Sequence, residues 1–297
     1  MPAARELKRL TRLVSGVLVV AGLAALVPVQ NRIDAENGIY GPIADVLYMP
    51  SGGLLGRLSL GNEGLLAAIY WTRAVQYFGS RSLAKQARFE LLAPLLRITT
   101  ELDPHLLIAY RFGAIFLTEK PPEGAGQPEA ALDLIRHGIV NNPAYWRLWQ
   151  DLGFIYYWNL KDYRRAAQAY LLGSRQPGAL FFMKAMAAKI LAQGGDPATS
   201  YELWMQLYRQ AENEQLRRNA EIHLTAIRAT IGMKQLNDLL ARYQEAAGHP
   251  AKSFEELVAA GLLRGIPVDP SGAPYRIGGD GKVALGPRSK VLLYLVE

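Results

Sequence analysis

The chain has 297 residues, half of them hydrophobic, and 33 Lys and Arg against 26 Asp and Glu leave a net charge of +7. That length accommodates one large domain or two smaller ones with a substantial core. The absence of cysteine excludes disulfides, Cys-ligated zinc, iron–sulfur clusters, thiol catalysis and lipid attachment through a cysteine.

The first twelve residues hold Arg5, Lys8, Arg9 and Arg12 against Glu6. No basic stripe stands out in the remainder, which argues against a nucleic-acid partner. Leu13 to Val29 follow as 17 uncharged, mostly apolar residues, the short end of the range for a spanning helix. Positive charge ahead of such a segment predicts a cytoplasmic N-terminus and a body across the membrane. Residues 1–29 therefore read as a basic tip and a transmembrane signal anchor, placing the protein in a bacterial inner membrane with its bulk in the periplasm. A cleaved signal peptide has the same layout, but no clean A-x-A site precedes a polar start. A mean hydropathy of +0.03 fits a chain that gives some apolar residues to a membrane.

Residues 30–62 carry Gly38, Gly41, Pro42, Pro50, Gly52, Gly53, Gly56 and Gly61. So many breakers predict an irregular linker, with Ile43–Tyr48 as a short strand or turn.

From Glu63 to residue 247 apolar residues recur at helical spacing, in segments separated by short breaks. The first pair has a helix carrying Trp71 to Phe78 and a second helix from about Leu83 to Glu101, ending before Pro104. The next unit, Pro104–Pro143, offers Phe112-Gly113 and Phe116, a loop with Pro121, Pro122, Gly124 and Gly126, then Ala131, Ile135 and Gly138. The third, 144–177, reads Trp149-x₂-Leu152-Gly153-x₂-Tyr156, with Ala166 ten residues later, then Tyr170 and Pro177. A fourth runs from Gly178 to about Asn213, broken at Gly194-Gly195-Asp196-Pro197. A last pair covers about Glu214–Thr230 and Gln235–Ala246, hinged at Gly232.

The W-x₂-L-G-x₂-Y opening with its Ala and Pro resembles the tetratricopeptide repeat family. The resemblance implies stacked helical hairpins, because one pair cannot bury both of its faces alone. Small residues (Gly113, Gly153, Ala131, Ala166) then sit where helices approach closely, and Trp149, Tyr156, Phe116 and Tyr170 fill the space between. Pro143 and Pro177 end the second helices because proline cannot continue them. In that family the first helix of each pair lines a concave groove. The positions so implied are Arg147, Gln150, Phe154, Tyr157 and Trp158, with Leu107, Tyr110 and Leu117 before them and Phe181, Lys184 and Ala188 after. This is an aromatic groove with two cationic points, Arg147 and Lys184, and aromatics and Arg are common binding anchors. The other reading is that the groove is filled by the solenoid's own side chains.

After Gly248 the helical pattern stops, and 248–297 reads as a small α/β cap. Ser253 and Glu256 form a capping-box pattern for a short helix ending at Gly261. A hairpin follows, with strands Tyr275–Ile277 and Lys282–Leu285 joined across Gly278–Gly281. Val291–Val296 reads as one more short strand. The run Pro267-x-Asp269-Pro270-x-Gly272-x-Pro274-Tyr275 is similar to the C-terminal region of type II secretion pseudopilins, with Ser271 where that family has Trp. The resemblance covers about 45 residues and lacks the family's N-terminal prepilin motif. It points to Asp269 and Asp280 as acidic positions of the kind that bind calcium there, and two carboxylates fall short of the six to eight oxygens calcium takes.

The four histidines His105, His137, His223 and His249 form no H-E-x-x-H or close pair, and no phosphate-binding loop or nucleophile elbow is present. No catalytic residue, metal, cofactor or small-molecule substrate is expected. The expected fold is mainly α. The expected role is a membrane-anchored scaffold for protein partners in an envelope assembly, with a pilus or secretion machine favoured by the tail. Alternatives are a structural subunit with an unoccupied groove, or an accessory to polysaccharide processing or export.

Overall fold

The computed structural model describes residues 51–86 and 88–293, with Ala24, Pro28 and Arg32 as isolated positions before them. The chain divides into two units between Ser51 and Gly52, and the elements below all belong to the second. Apart from Ala24 and Pro28, the expected anchor Leu13–Val29 lies outside the described residues. Among those residues no helix is long and apolar enough to cross a membrane.

The fold is mainly α. A short helix, α1 (Gly52–Leu58), leads into α2 (Glu63–Leu83), which pairs with α3 (Leu92–Leu102). Three further hairpins follow: α4 (Leu107–Thr118) with α5 (Pro128–Asn141), α6 (Trp146–Phe154) with α7 (Tyr163–Ser174), and α8 (Phe182–Gln193) with α9 (Pro197–Arg209). The long α10 (Glu214–Ala247) packs against α9 and carries a small cap.

Two helix boundaries differ from expectation. Gly52–Leu58, read as irregular, is helical, and its first N–H is satisfied by the Glu101 carboxylate at 3.0 Å, a helix-terminal donor met from a distant helix. The second helix of the first pair begins at Leu92 rather than near Leu83. There Lys85 adopts a left-handed φ of 51°, the Gln86 N–H bonds the Arg81 carbonyl, and the Lys85 N–H bonds that of Ser82. This is a Schellman stop built on lysine where glycine is usual, so no breaker residue marks it.

Between packed helices the small residues do what close packing requires. A Cβ on Gly153 would lie 2.6 Å from the Tyr170 ring, and Ala131 and Ala166 are fully buried. Asp162 and Asp196 cap α7 and α9 by accepting the N–H groups of Arg165 and Thr199. Helix α6 continues into a π-helical turn, Ile155–Asn159. Such a turn absorbs one extra residue within a helix, and it overlaps the start of the ten-residue step from Tyr156 to Ala166. Farther along, the Trp204 and His223 rings stack at 3.9 Å between centroids and lock α9 to α10.

Helix α10 is continuous where a break at Gly232 was expected. The Tyr275 hydroxyl approaches Gly232 so closely that a Cβ there would be 3.0 Å from it, and it donates to the Ala229 carbonyl at 3.5 Å. The glycine therefore makes room for the cap, at a helix cost of about 1 kcal/mol. Leu236 and Leu240 of α10 form a core with Ala251, Phe254, Leu257, Tyr275 and Val283, and each fully buried large apolar side chain contributes roughly 1.5–3 kcal/mol.

The cap contains α11 (Phe254–Ala259) and one hairpin, β1 (Arg276–Ile277) antiparallel to β2 (Val283–Ala284), with Arg276 opposite Ala284 and Ile277 opposite Val283. The strands are shorter than expected. The Val283 N–H turns to the Asn237 side chain of α10 at 2.8 Å. The capping box is not formed: Ser253 makes no side-chain cap, and Glu256 accepts the Lys252 N–H and the Tyr243 hydroxyl instead. Half of the last expected strand, Val291–Val296, lies outside the described residues, and the described half, Val291–Leu293, forms no strand.

Candidate functional site

Helices α4, α6 and α8 are the first helices of successive hairpins and are joined by polar and aromatic contacts. Arg111 of α4 donates two hydrogen bonds to Asp151 of α6, at 2.7 and 3.4 Å. The Asn159 amide reaches the Thr118 carbonyl at 3.4 Å. Trp146 meets Phe182 edge-on at 6.0 Å, and the Tyr157 hydroxyl donates to Gln193 at 3.0 Å.

Their open surface is aromatic. Phe154 and Trp158, one helical turn apart, are 49% and 59% exposed and stack at 6.3 Å with their planes 13° apart. Lys161, held at φ 55°, sets its ammonium 4.7 Å from the Trp158 ring centroid, a cation–π distance. On α4, Ile108, Phe112 and Ile115 are also exposed. Phe112 contacts Phe116, which stacks on Phe78 at 4.0 Å and on Trp71 at 6.3 Å. The aromatic array thus runs into the first hairpin.

The sequence-derived groove residues divide into two groups. Arg147, Phe154, Trp158 and Phe181 are exposed. The Arg147 guanidinium lies 4.7 Å from the Trp146 ring centroid. Tyr110 is fully buried: it fills the space left by Gly138, and its hydroxyl is 3.4 Å from His137 Nδ1. Burial pushes its pKa up to about 12, so it stays neutral. Leu117 and Ala188 are buried as well. Leu107, Gln150, Tyr157 and Lys184 are half-buried, Tyr157 held by Gln193 and Lys184 donating to Gln210 at 3.3 Å. Part of the expected groove is therefore filled by the protein's own contacts, and part is open.

The sequence reading passed over Ile108 and Ile115 and gave Phe112 only a repeat-core role. Their i, i+4, i+7 spacing was available as a signal of one shared helix face. It also missed the Arg111–Asp151 pair, which no local spacing encodes. Burial raises the pKa of Asp151, and Arg111 opposes that rise.

A second concavity of about 740 Å³ opens between α3 and α5. Leu96, Leu117 and Leu134 line it, with Arg97, Glu101, Asp133 and His137 also on its walls. Glu101 there is occupied by Arg97 at 2.8 Å and by the Gly52 N–H. Among the described residues no group of three His, Asp or Glu is placed to hold a metal ion. The two cap carboxylates hold their own turns. Asp269 accepts from the Ser271 N–H, the Ser271 hydroxyl and the Ala273 N–H, and Asp280 accepts from the Lys282 N–H.

No protein-family model, curated protein or solved structure matches this chain at a significant level.

Proposed function

We propose that this chain is a membrane-anchored scaffold of the tetratricopeptide type, which binds a protein partner on the outer face of α4 and α6 within a bacterial envelope assembly. The observation that supports it is open apolar surface on two joined helices: Phe154 and Trp158 stacked and exposed at the end of α6, and Ile108, Phe112 and Ile115 exposed on α4, which Arg111 ties to Asp151 of α6. Large apolar side chains grouped on one face, with cations at its edge, are the usual composition of binding anchors. Arg147 and Phe181 are exposed as well, whereas Tyr110 is buried against Gly138. On this reading the basic N-terminus stays in the cytoplasm, Leu13–Val29 spans the inner membrane and the helical body works in the periplasm. Anchoring confines the binding face near the bilayer and raises its effective concentration for other membrane-bound components. The pseudopilin-like tail inclines the reading towards a pilus or secretion machine.

The half-buried Tyr157 and Lys184 favour a second reading, in which the face is largely packing and the protein is a structural subunit. Crosslinking in native membranes separates the two. Phe154→Ala with Trp158→Ala removes only exposed side chains. Loss of a crosslinked partner with unchanged thermal stability supports the binding face. Retention of the same partner by the double variant refutes it.

A further inference from the structure

Resting on the binding face proposed above, we infer that its occupant is an acidic, apolar peptide segment of a protein partner. Its carboxylates meet Arg147 and Lys161, and its apolar side chains cover Phe154 and Trp158. Two stripes define the face. On α4, Ile108, Arg111, Phe112 and Ile115 recur at i, i+3, i+4 and i+7. On α6, Arg147, Asp151 and Phe154 recur at i, i+4 and i+7, and Trp158 follows one turn on. Arg111 holds Asp151 at 2.7 Å. Both lie mid-stripe, so the two stripes open on the same side.

Charge on the first helices is one-sided. Helices α4, α6 with its π-helical turn, and α8 carry Arg111, Arg147, Lys184 and Lys189 against one carboxylate, Asp151. The second helices α5, α7 and α9 carry Arg136, Arg164, Arg165 and Arg209 against Glu129, Asp133 and Glu202, which is close to balance. The one carboxylate of the first helices is already held by Arg111. Of the charges next in the chain, Asp162 pairs with Arg165 at 3.4 Å, and Glu119 and Lys120 cancel in sequence.

Arg147 and Lys161 are left over, both exposed and neither in an ion pair among the described residues. Arg147 acts on Asp151 only at longer range. Each cation rests on an exposed or edge aromatic instead, Arg147 4.7 Å from the Trp146 ring centroid and Lys161 4.7 Å from that of Trp158. A cation held on a ring keeps N–H donors for a carboxylate. Lys161 also keeps its place at φ 55°, where Gly or Asn is the easier residue. From Arg147 to Trp158 the helix advances about 16 Å, which an extended chain covers in roughly five residues. The segment that fits therefore has two carboxylates about five residues apart, with bulky apolar side chains between them. A nucleic-acid strand, with its closely spaced phosphates, does not match two separated cations with apolar surface between.

The test is a random peptide library, displayed on phage and selected against the full chain in detergent micelles. Arg147→Glu/Lys161→Glu, Arg147→Gln/Lys161→Gln and Phe154→Ala/Trp158→Ala are selected in parallel, with thermal melting to show that each keeps the parent's fold. The expected result is enrichment of Asp or Glu around Leu, Phe or Trp. The charge-reversed chain is expected to enrich Lys and Arg instead, and the Gln chain to lose preference for either sign. An enriched acidic peptide, made as a fluorescent probe, is expected to bind the charge-reversed chain about tenfold more weakly, and the difference to shrink at high salt. Enrichment of apolar peptides that depends on Phe154 and Trp158 but ignores both charge variants overturns the acidic segment and leaves the binding face standing. Enrichment of basic peptides by the parent does the same. Displacement of the probe by single-stranded oligothymidylate at equal concentration assigns the cations to a polyphosphate and overturns the peptide. No enrichment beyond the Phe154→Ala/Trp158→Ala chain overturns the face and the segment together.

Discussion

Replacing Gly153 by alanine tests the central packing argument, that the two helices of a hairpin touch through small residues. The added Cβ would lie 2.6 and 2.7 Å from two carbons of the Tyr170 ring and 3.3 Å from the Ala166 carbonyl oxygen. Tyr170 is itself almost fully buried, so its ring has little room to retreat. Overpacking of this kind costs about 1–3 kcal/mol, against a helix-propensity gain of about 1 kcal/mol for Gly→Ala. The net expectation is a loss of up to about 2 kcal/mol, or a thermal midpoint lower by a few degrees for a body of this size. Gly79 supplies the control, because it lies inside α2 with nothing within 4 Å of a Cβ. Gly79→Ala keeps the propensity gain without the clash and is expected to be stabilising by up to about 1 kcal/mol. Both variants are compared with the parent by circular dichroism during heating, in the same detergent. If Gly153→Ala matched Gly79→Ala, the close approach of α6 and α7 through Gly153 would be refuted.

Gly232→Ala is expected to loosen the cap and leave the helical hairpins intact, because it pushes directly on the Tyr275 hydroxyl. Limited proteolysis checks this, with new cleavage expected after residue 260 and none within α4–α9. The Arg111–Asp151 side chains are 34% and 21% exposed, so solvent weakens the pair. Arg111→Met alone is expected to cost about 1–2 kcal/mol by stranding the carboxylate, and Asp151→Asn in addition to recover part of it, as a double-mutant cycle in urea would show. His223, stacked on Trp204, has its pKa lowered to about 4 by burial, with Lys189 adding to the effect. An unfolded histidine titrates near 6.5, so the unfolded chain binds more protons between these values. The neutral stacked form therefore contributes stability in full above about pH 6.5, and that contribution falls as pH drops towards 4. Across that window His223→Phe should show a smaller fall in thermal midpoint than the parent. An NMR titration of His223 above pH 6 would contradict this.

Much of the helical order was legible because its signals are local. Pro128 and Pro197 stand at the first position of α5 and α9, and Asp162, Asp196 and Asn213 cap helices with their own side chains. The misses arise where a distant contact or an unusual residue decides. Lys85 ends α2 in a conformation that glycine normally signals. Gly232 looked like a hinge because its real partner, Tyr275, is 43 residues away in the chain. The candidate site was half legible for the same reason. The tetratricopeptide resemblance pointed to Phe154 and Trp158, but only the neighbouring hairpin decides which tyrosine sinks. Tyr110 is drawn inward by the gap above Gly138, and nothing near Tyr110 in sequence records that gap.

The uninterrupted α10 also has a mechanical meaning. At 1.5 Å per residue its 34 residues make a rod about 50 Å long, clamped at one end by α9 and gripped at the other by the cap. A rod held in this way carries load without bending at a joint. A tug on the hairpin or on Tyr275 would reach Trp204 and His223 as a displacement of the whole shaft, and the cap would serve as a handle for turning the last hairpin.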